Sequence, residues 1–322
     1  EDLKMSSMYI ALGYNCNHKC FFCPCGNNKV KAPVASLDAL KKAVDNGAVL
    51  GVNHITLSGG EPTLYPHFNE ILNYCISHSM CVGILSNGDT FSNQKKLEIF
   101  FKDTDIRKVH VTTAIHSITP ELHEKVTRSK GSFERTVKGI GNLIRHGINV
   151  TVKQVISKWN YMELPDFVDF VFREYGPFVS LTLCGMDFCG MESEQIDAVA
   201  VDFITIKPYL EQALDKIINI RMKYNAFPHV SVADIPLCCA DPYYWGFFMK
   251  VSRGELKQYS APISENGDVK SQNNVVNDCD IFFEECRKCC VADRCPGVWK
   301  TAYEYFGESA VKCVLPYKPC YT

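Results

Sequence analysis

Along the chain, one hydrophobic pattern gives way to another six times. Short runs rich in β-branched and aliphatic residues fall at 8–12, 54–58, 81–86, 108–115, 149–156 and 178–184. Between and after them, at 36–50, 66–79, 94–101, 132–146, 162–175 and 200–224, apolar residues recur every three to four positions. Strands alternating with helices at this spacing predict βαβ units and a parallel sheet. Right-handed crossovers then curl that sheet in one direction. Six units fall short of the eight that close a barrel. The predicted fold class is therefore α/β, with an open sheet of six βα units. Local signals agree. Ser36-Leu37-Asp38 is placed to cap the first helix, and Gly47 and Gly51 lie where it should stop. Ser132 sits at an N-cap position, and Gly147 follows Arg145-His146 as a C-terminal stop.

After about residue 225 the helical period fades, turns multiply and cysteines crowd together. Glu265-Asn266-Gly267-Asp268 reads as a hairpin turn. The expected division is a barrel domain over 1–226 and a smaller cysteine-rich domain over 227–322.

Length and charge narrow the picture. A chain of 322 residues is long enough for about two domains. A net charge of −2 gives no bulk attraction for nucleic acid. No apolar run reaches the roughly 18 residues of a membrane span. The 17 cysteines are odd in number and gather towards the two ends. Without an export signal, that usage points to metal ligation in a reducing cytoplasm rather than to disulfides.

The chemistry concentrates in Cys16-x3-Cys20-x2-Cys23, directly after the first predicted strand. Three thiolates on one tight loop can hold three irons of a cubic cluster that normally takes four cysteines, leaving one iron open. A structural zinc site is the alternative, although zinc sites usually pair two C-x2-C knuckles, and Cys25 lies too close to Cys23 to close the same site. His18, inside the loop, reads as a surface or supporting residue. Two further signals follow predicted strands: Ser58-Gly59-Gly60-Glu61-Pro62 and Ser86-Asn87-Gly88. Ligands in parallel α/β folds bind at such carboxyl ends, and paired glycines let backbone approach a ligand closely.

Together these motifs resemble the radical S-adenosylmethionine (SAM) superfamily. The resemblance implies a partial (β/α)6 TIM-type barrel. It also implies a [4Fe–4S] cluster on Cys16, Cys20 and Cys23 whose open iron chelates SAM. One electron from the cluster then splits SAM into methionine and a 5′-deoxyadenosyl radical. By the same resemblance, Gly59, Gly60, Glu61 and Pro62 form the edge that receives the SAM ammonium group, and Ser86 and Asn87 lie near its sugar and methionine. Many relatives hold the SAM carboxylate with a serine on the fourth strand. Here that stretch is Ala114-Ile115-His116-Ser117, so His116, Ser117 or Arg128 is expected to take the role.

The tail carries Cys286-x2-Cys289-x5-Cys295 followed by Pro296-Gly297. It resembles the SPASM and twitch extensions of the superfamily, which hold auxiliary clusters. The residue at the next SPASM cysteine position is Trp299, which argues for a single auxiliary [4Fe–4S] cluster on Cys286, Cys289, Cys295 and a distant fourth ligand. Cys238 is the chosen fourth, with Cys313 or Cys279 as alternatives, and a four-cysteine zinc knuckle as the other reading. Cys184 and Cys189, flanking the end of the sixth strand, are candidate hydrogen-atom donors; a buried, inert thiol is the ordinary alternative. The resemblance implies a peptide substrate, matured by crosslinking, epimerisation or oxidation, with flavodoxin or ferredoxin as electron donor. One alternative is a radical dehydrogenase or epimerase of a small molecule such as a sugar or aminocyclitol. Another is a metal-stabilised binding protein that does not cleave SAM.

Overall fold

The structure is a computed structural model of the chain and describes residues 6–25, 34–249, 257–271, 286 and 289–307. Its contacts divide the chain into two compact units, the first comprising Glu1–Ile115, Thr119–Val152 and Arg253–Asn274, and the second His116–Ile118, Lys153–Ser252 and Val275–Thr322.

In the first unit, strands and helices alternate as the pattern predicts: β1 (Ser6–Ala11), α1 (Leu37–Val49), β2 (His54–Ser58), α2 (Phe68–Ser77), β3 (Cys81–Ser86), α3 (Gln94–Phe100) and β4 (Val109–Ala114). Then come α4 (Pro120–Thr127), α5 (Ser132–Arg145) and the start of β5 (Asn149–Val155). Strands β1 to β4 pair in parallel in chain order. Period-two alternation sorts their side chains. Met8, Ile10, Ile55, Leu57, Val82, Ile84, Val109 and Val111 are all buried. They form the helix-covered face, where each fully buried aliphatic side chain contributes about 1.5–3 kcal/mol. There α1 comes in at Gly47, where a Cβ would stand 2.7 Å from the Met8 Cε methyl. The opposite face carries Tyr9, His54, Thr56, Leu85, His110 and Thr112; Tyr9 and Leu85 are exposed there. The Ser36 hydroxyl accepts from the Ala39 amide and caps α1 as its sequence suggests.

The expected hairpin is present as β8 (Lys257–Ala261) and β9 (Lys270–Ser271), paired antiparallel. Gly267, at φ +68°, makes its turn and lies against α1; a Cβ there would meet the Ala39 carbonyl oxygen at 2.6 Å. Asn46 of α1 donates to the Gly267 carbonyl at 3.1 Å. The hairpin belongs to the first unit because β8 runs parallel to β1, from Ser6↔Lys257 to Ile10↔Ala261.

The second unit holds the end of β5, α6 (Leu164–Tyr175), β6 (Ser180–Cys184), α7 (Ser193–Val199), α8 (Phe203–Tyr224), β7 (Val230–Ala233) and α9 (Lys300–Phe306). β6 and β7 pair in parallel. Sequence reading missed α4, α7, α9 and β7, and each miss has a physical reason. The helices span about two turns each, too short for a period to show, and β7 has only four residues, too few for an alternation to stand out.

Candidate functional site

The cysteine loop continues the β1–β2 ladder beyond the ends of the strands. Leu12 N donates to Ser58 O at 3.0 Å, Gly60 N to Gly13 O at 2.8 Å and Glu61 N to Asn15 O at 2.8 Å. This pairing explains the two glycines. Gly59 has φ +122°, and a Cβ on it would overlap the Gly13 carbonyl oxygen; one on Gly60 would overlap those of Asn15 and Tyr14. The sequence suggests a glycine pair that admits a ligand. In the structure its smallness admits the backbone that leads into the cysteines. Pro62 starts a short 3-10 turn, Pro62–Leu64.

Glu61 is buried, and its carboxylate accepts four hydrogen bonds. They come from Thr63 N (3.1 Å), Thr63 Oγ1 (2.6 Å), Ser86 Oγ (2.9 Å) and Asn87 N (2.7 Å). Burial pushes its carboxyl above the usual range, while these donors pull the other way. Glu61 therefore fastens the end of β2 to the end of β3. Ser86, expected beside a cofactor, spends its hydroxyl on Glu61 and on accepting from Gly88 N at 3.1 Å.

Cys16, Cys20 and Cys23 are half-buried free thiols. The Cys16 sulfur accepts from His18 N at 3.4 Å and from Asn87 Nδ2 at 3.9 Å. Lys19 N and Phe21 N donate to the Thr127 and Val126 carbonyls at 3.0 and 2.8 Å, holding the loop to the end of α4. Arg128 ends that helix at φ +51°, with its guanidinium 4.8 Å from the centre of the Phe21 ring. His18 is not a surface residue, since it is 2% exposed. Its Nε2 meets Asp89 Oδ2 at 3.1 Å, and the same oxygen takes Arg135 Nε at 3.0 Å and Asn17 Nδ2 at 3.0 Å. Burial alone would raise the Asp89 carboxyl, but His18 and Arg135 outweigh it and leave it lowered. That charge stabilises the folded unit above the ordinary carboxylate range, and the contribution is lost as the pH falls through the lowered value.

Among the described residues, no three Cys, His, Asp or Glu side chains are gathered so as to hold a single metal ion. The fit to a cubic cluster rests on the donor set: three accessible thiols on one loop, with N–H donors already turned towards one sulfur.

His116 and Ser117 fall in the second unit. Ser117 is wholly buried and donates to Glu163 Oε2 at 2.8 Å, which also accepts from Ile118 N at 3.2 Å. The His116 carbonyl accepts from Asn160 Nδ2 at 2.8 Å.

Cys184 is buried at the end of β6. Its Sγ donates to Asp234 Oδ2 at 3.0 Å, and Lys153 of β5 interacts with both. Burial pushes the Cys184 thiol up to about 12, and the buried Cys75 likewise. Cys189 and Cys81 are exposed. At pH 8, Cys184 and Cys75 should thus alkylate roughly a thousandfold more slowly than an ordinary exposed thiol. Time-resolved iodoacetamide labelling read by peptide mass spectrometry checks this; Cys184 labelling as fast as Cys189 contradicts it.

Of the expected tail ligands, Cys238 and Cys286 lie near enough to Cys295 to act on its thiol electrostatically. The Cys295 thiol is pushed to about 11 by burial, and its sulfur accepts from Leu237 N and Gly297 N, both at 3.4 Å. Cys289 N donates to the Cys286 carbonyl at 3.0 Å. Cys279 and Cys313 lie outside the described residues. Sequence reasoning missed Asp89, Arg135, Lys153 and Asp234. Asp89 carried a signal, an acid one residue past Ser86-Asn87-Gly88, and so did Lys153, a lone cation in an otherwise uncharged strand.

A sequence profile described as "Radical SAM superfamily" matches residues 10–171. Over 165 residues the chain is 32% identical to "Antilisterial bacteriocin subtilosin biosynthesis protein AlbA" of Bacillus subtilis, covering 51% of this chain and 36% of that one. It thus spans little more than a third of AlbA's length. Over 230 residues it is 25% identical to a "Probable GTP 3',8-cyclase" of Methanococcus maripaludis, covering 70% of this chain and 73% of that one. Among solved structures it resembles "Native anSMEcpe with bound AdoMet and Cp18Cys peptide", with a TM-score of 0.65 at 13% identity, over 95% of this chain and 97% of that one. At that identity the likeness is one of fold.

Proposed function

The chain belongs to the radical SAM superfamily, and from that premise we propose that it cleaves SAM reductively and abstracts a hydrogen atom from a peptide substrate. The observation that carries the reading is the Cys16, Cys20 and Cys23 loop docked on Gly59-Gly60. When bound there, a [4Fe–4S] cluster supplies the electron that turns SAM into a source of the 5′-deoxyadenosyl radical. The chain's own residues do the rest. Glu61 keeps the β2 and β3 ends together, and the α4 carbonyls hold the loop.

Similarity to AlbA, and to the fold of a protein solved with a bound peptide, supports maturation of a ribosomally made peptide. A small-molecule substrate is the second reading, favoured by the longer match to the GTP cyclase. The cysteine-rich part of 227–322 is assigned one auxiliary [4Fe–4S] cluster on Cys238, Cys286, Cys289 and Cys295. Its supporting observations are the two amide donors on Cys295 and the influence of Cys238 and Cys286 on that thiol. A flavodoxin or ferredoxin would be the electron donor, in a reducing cytoplasm. No cysteine among the described residues is in a disulfide, and no described helix is long and apolar enough to cross a membrane.

The test is anaerobic reconstitution with iron and sulfide, then SAM and dithionite, with 5′-deoxyadenosine quantified by mass spectrometry. Wild type should produce it, and the Cys16→Ala, Cys20→Ala, Cys23→Ala triple variant should not. No product from wild type with iron and sulfide bound would overturn the reading. Turnover on a precursor peptide encoded beside the gene, against sugar alcohols, separates the two substrate classes.

A further inference from the structure

The Cys16 sulfur has two N–H donors, His18 N at 3.4 Å and Asn87 Nδ2 at 3.9 Å. Both donors are held by one network. Asn87 Nδ2 also donates to Asn17 Oδ1 at 2.7 Å, and Asn87 Oδ1 accepts from Asp89 N at 3.0 Å. Asn17 and His18 both end on Asp89 Oδ2, where Arg135 of α5 balances the charge. Thr136 fixes the turn from below by donating to the Asn87 carbonyl at 2.9 Å. Gly88 makes the turn possible at φ +80°.

A structural cap for the β3 turn would not need an amide aimed at a neighbouring loop's sulfur. Hydrogen bonds to a cluster's sulfurs favour its more negative, reduced state and so raise its reduction potential. Partners that orient a ligand's donors matter almost as much as the ligands themselves.

We propose that Asn87 and Asp89 are positioning residues that keep two N–H donors on Cys16, making Cys16 a ligand through which this protein raises the reduction potential of its SAM-binding cluster. The inference rests on the radical SAM reading above. It assigns Asn87 a role that the sequence did not suggest: its side chain serves a cluster ligand.

The test uses the full chain, reconstituted anaerobically and without SAM, in a redox titration followed by electron paramagnetic resonance. Asn87→Leu removes the amide donor without changing charge, and its backbone N–H to Glu61 survives. A lost neutral hydrogen bond is worth roughly a three- to tenfold change in an equilibrium constant. At a fixed applied potential, the ratio of reduced to oxidised cluster should therefore fall roughly three- to tenfold, with iron and sulfide content unchanged. The double variant Asp89→Asn, Arg135→Gln removes one charge of each sign and frees Asn17 and His18. It should shift the titration in the same direction, whereas a purely structural network would leave the potential of the remaining intact cluster where it was. An unchanged midpoint in Asn87→Leu with full iron content overturns the proposal. If that variant fails to hold iron, the double variant and Asn87→Ser decide instead, an unchanged midpoint in both being fatal. If wild type itself holds no cluster, the superfamily-based reading fails; if wild type makes deoxyadenosine and the variants do not shift, only this inference does.

Discussion

Replacing Glu61 with alanine should destabilise the first unit by about 3–5 kcal/mol, one of the largest effects expected of any single substitution here. The carboxylate is buried, and its loss strands two backbone amides, Thr63 N and Asn87 N, together with the Ser86 hydroxyl. Each buried donor left without a partner costs about 1–3 kcal/mol. Thr63 Oγ1 suffers less because Thr90 Oγ1, 2.8 Å away, remains as a hydrogen-bond partner for its hydroxyl. Glu61→Gln keeps an acceptor oxygen and should cost about half as much. Urea denaturation of the apoprotein gives the magnitude, and amide hydrogen exchange at Asn87 and Thr63 gives the location. A loss below about 1 kcal/mol for the alanine variant would mean that water or a neighbour takes over the carboxylate's place.

Gly60→Ala should be comparably damaging, and for a different reason. The added methyl would run into the carbonyl oxygens of Asn15 and Tyr14. Backbone oxygens cannot swing aside like the tip of a side chain, so the cysteine loop has to lift. Lifting breaks the bonds from Gly60 N to Gly13 O and from Glu61 N to Asn15 O. A cost of about 3 kcal/mol follows from overpacking and two lost hydrogen bonds. Gly51→Ala is the control: it sits at positive φ, +78°, but has no atom within 4 Å of the added Cβ. It should cost only the conformational penalty of about 1 kcal/mol. Reconstituted Gly60→Ala should retain little iron and Gly51→Ala the wild-type amount. Equal iron in both would show that the cluster loop does not depend on its docking to β2.

Those two positions also mark where the sequence was readable and where it was not. The strands of the first unit were legible because their alternation is a local property, as in Met8 and Ile10 of β1 on either side of Tyr9. The cysteine run was legible for the same reason, since its ligands sit within eight residues of one another. What Glu61 and Ser86 face was not legible. Both sit in turns that look like ligand contacts, and only the approach of the β2 and β3 ends shows that they face each other. Ser117 is similar: the helix-entry residue Glu163 that claims its hydroxyl lies far along the chain. The sequence left His18 as either a surface or a supporting residue, because the groups that decide between them, Asp89 and Arg135, come from a distant turn and helix.

The strand that carries the cysteine loop has one further property. β1 pairs on one side with β2, which follows it closely, but on the other with β8, near the far end of the chain. During synthesis at about 5–20 residues per second, β1 and β2 emerge early and β8 last. Throughout that interval one edge of β1 has unpaired backbone groups, an invitation to pair with another chain. Ser7 and Tyr9, both carrying hydroxyls, stand on the opposite face of that strand, which tempers the risk. Yield in the cell is thus governed by how long an early edge waits for a late partner. Truncations that remove β8 should give aggregates, however complete the cysteine loop may be.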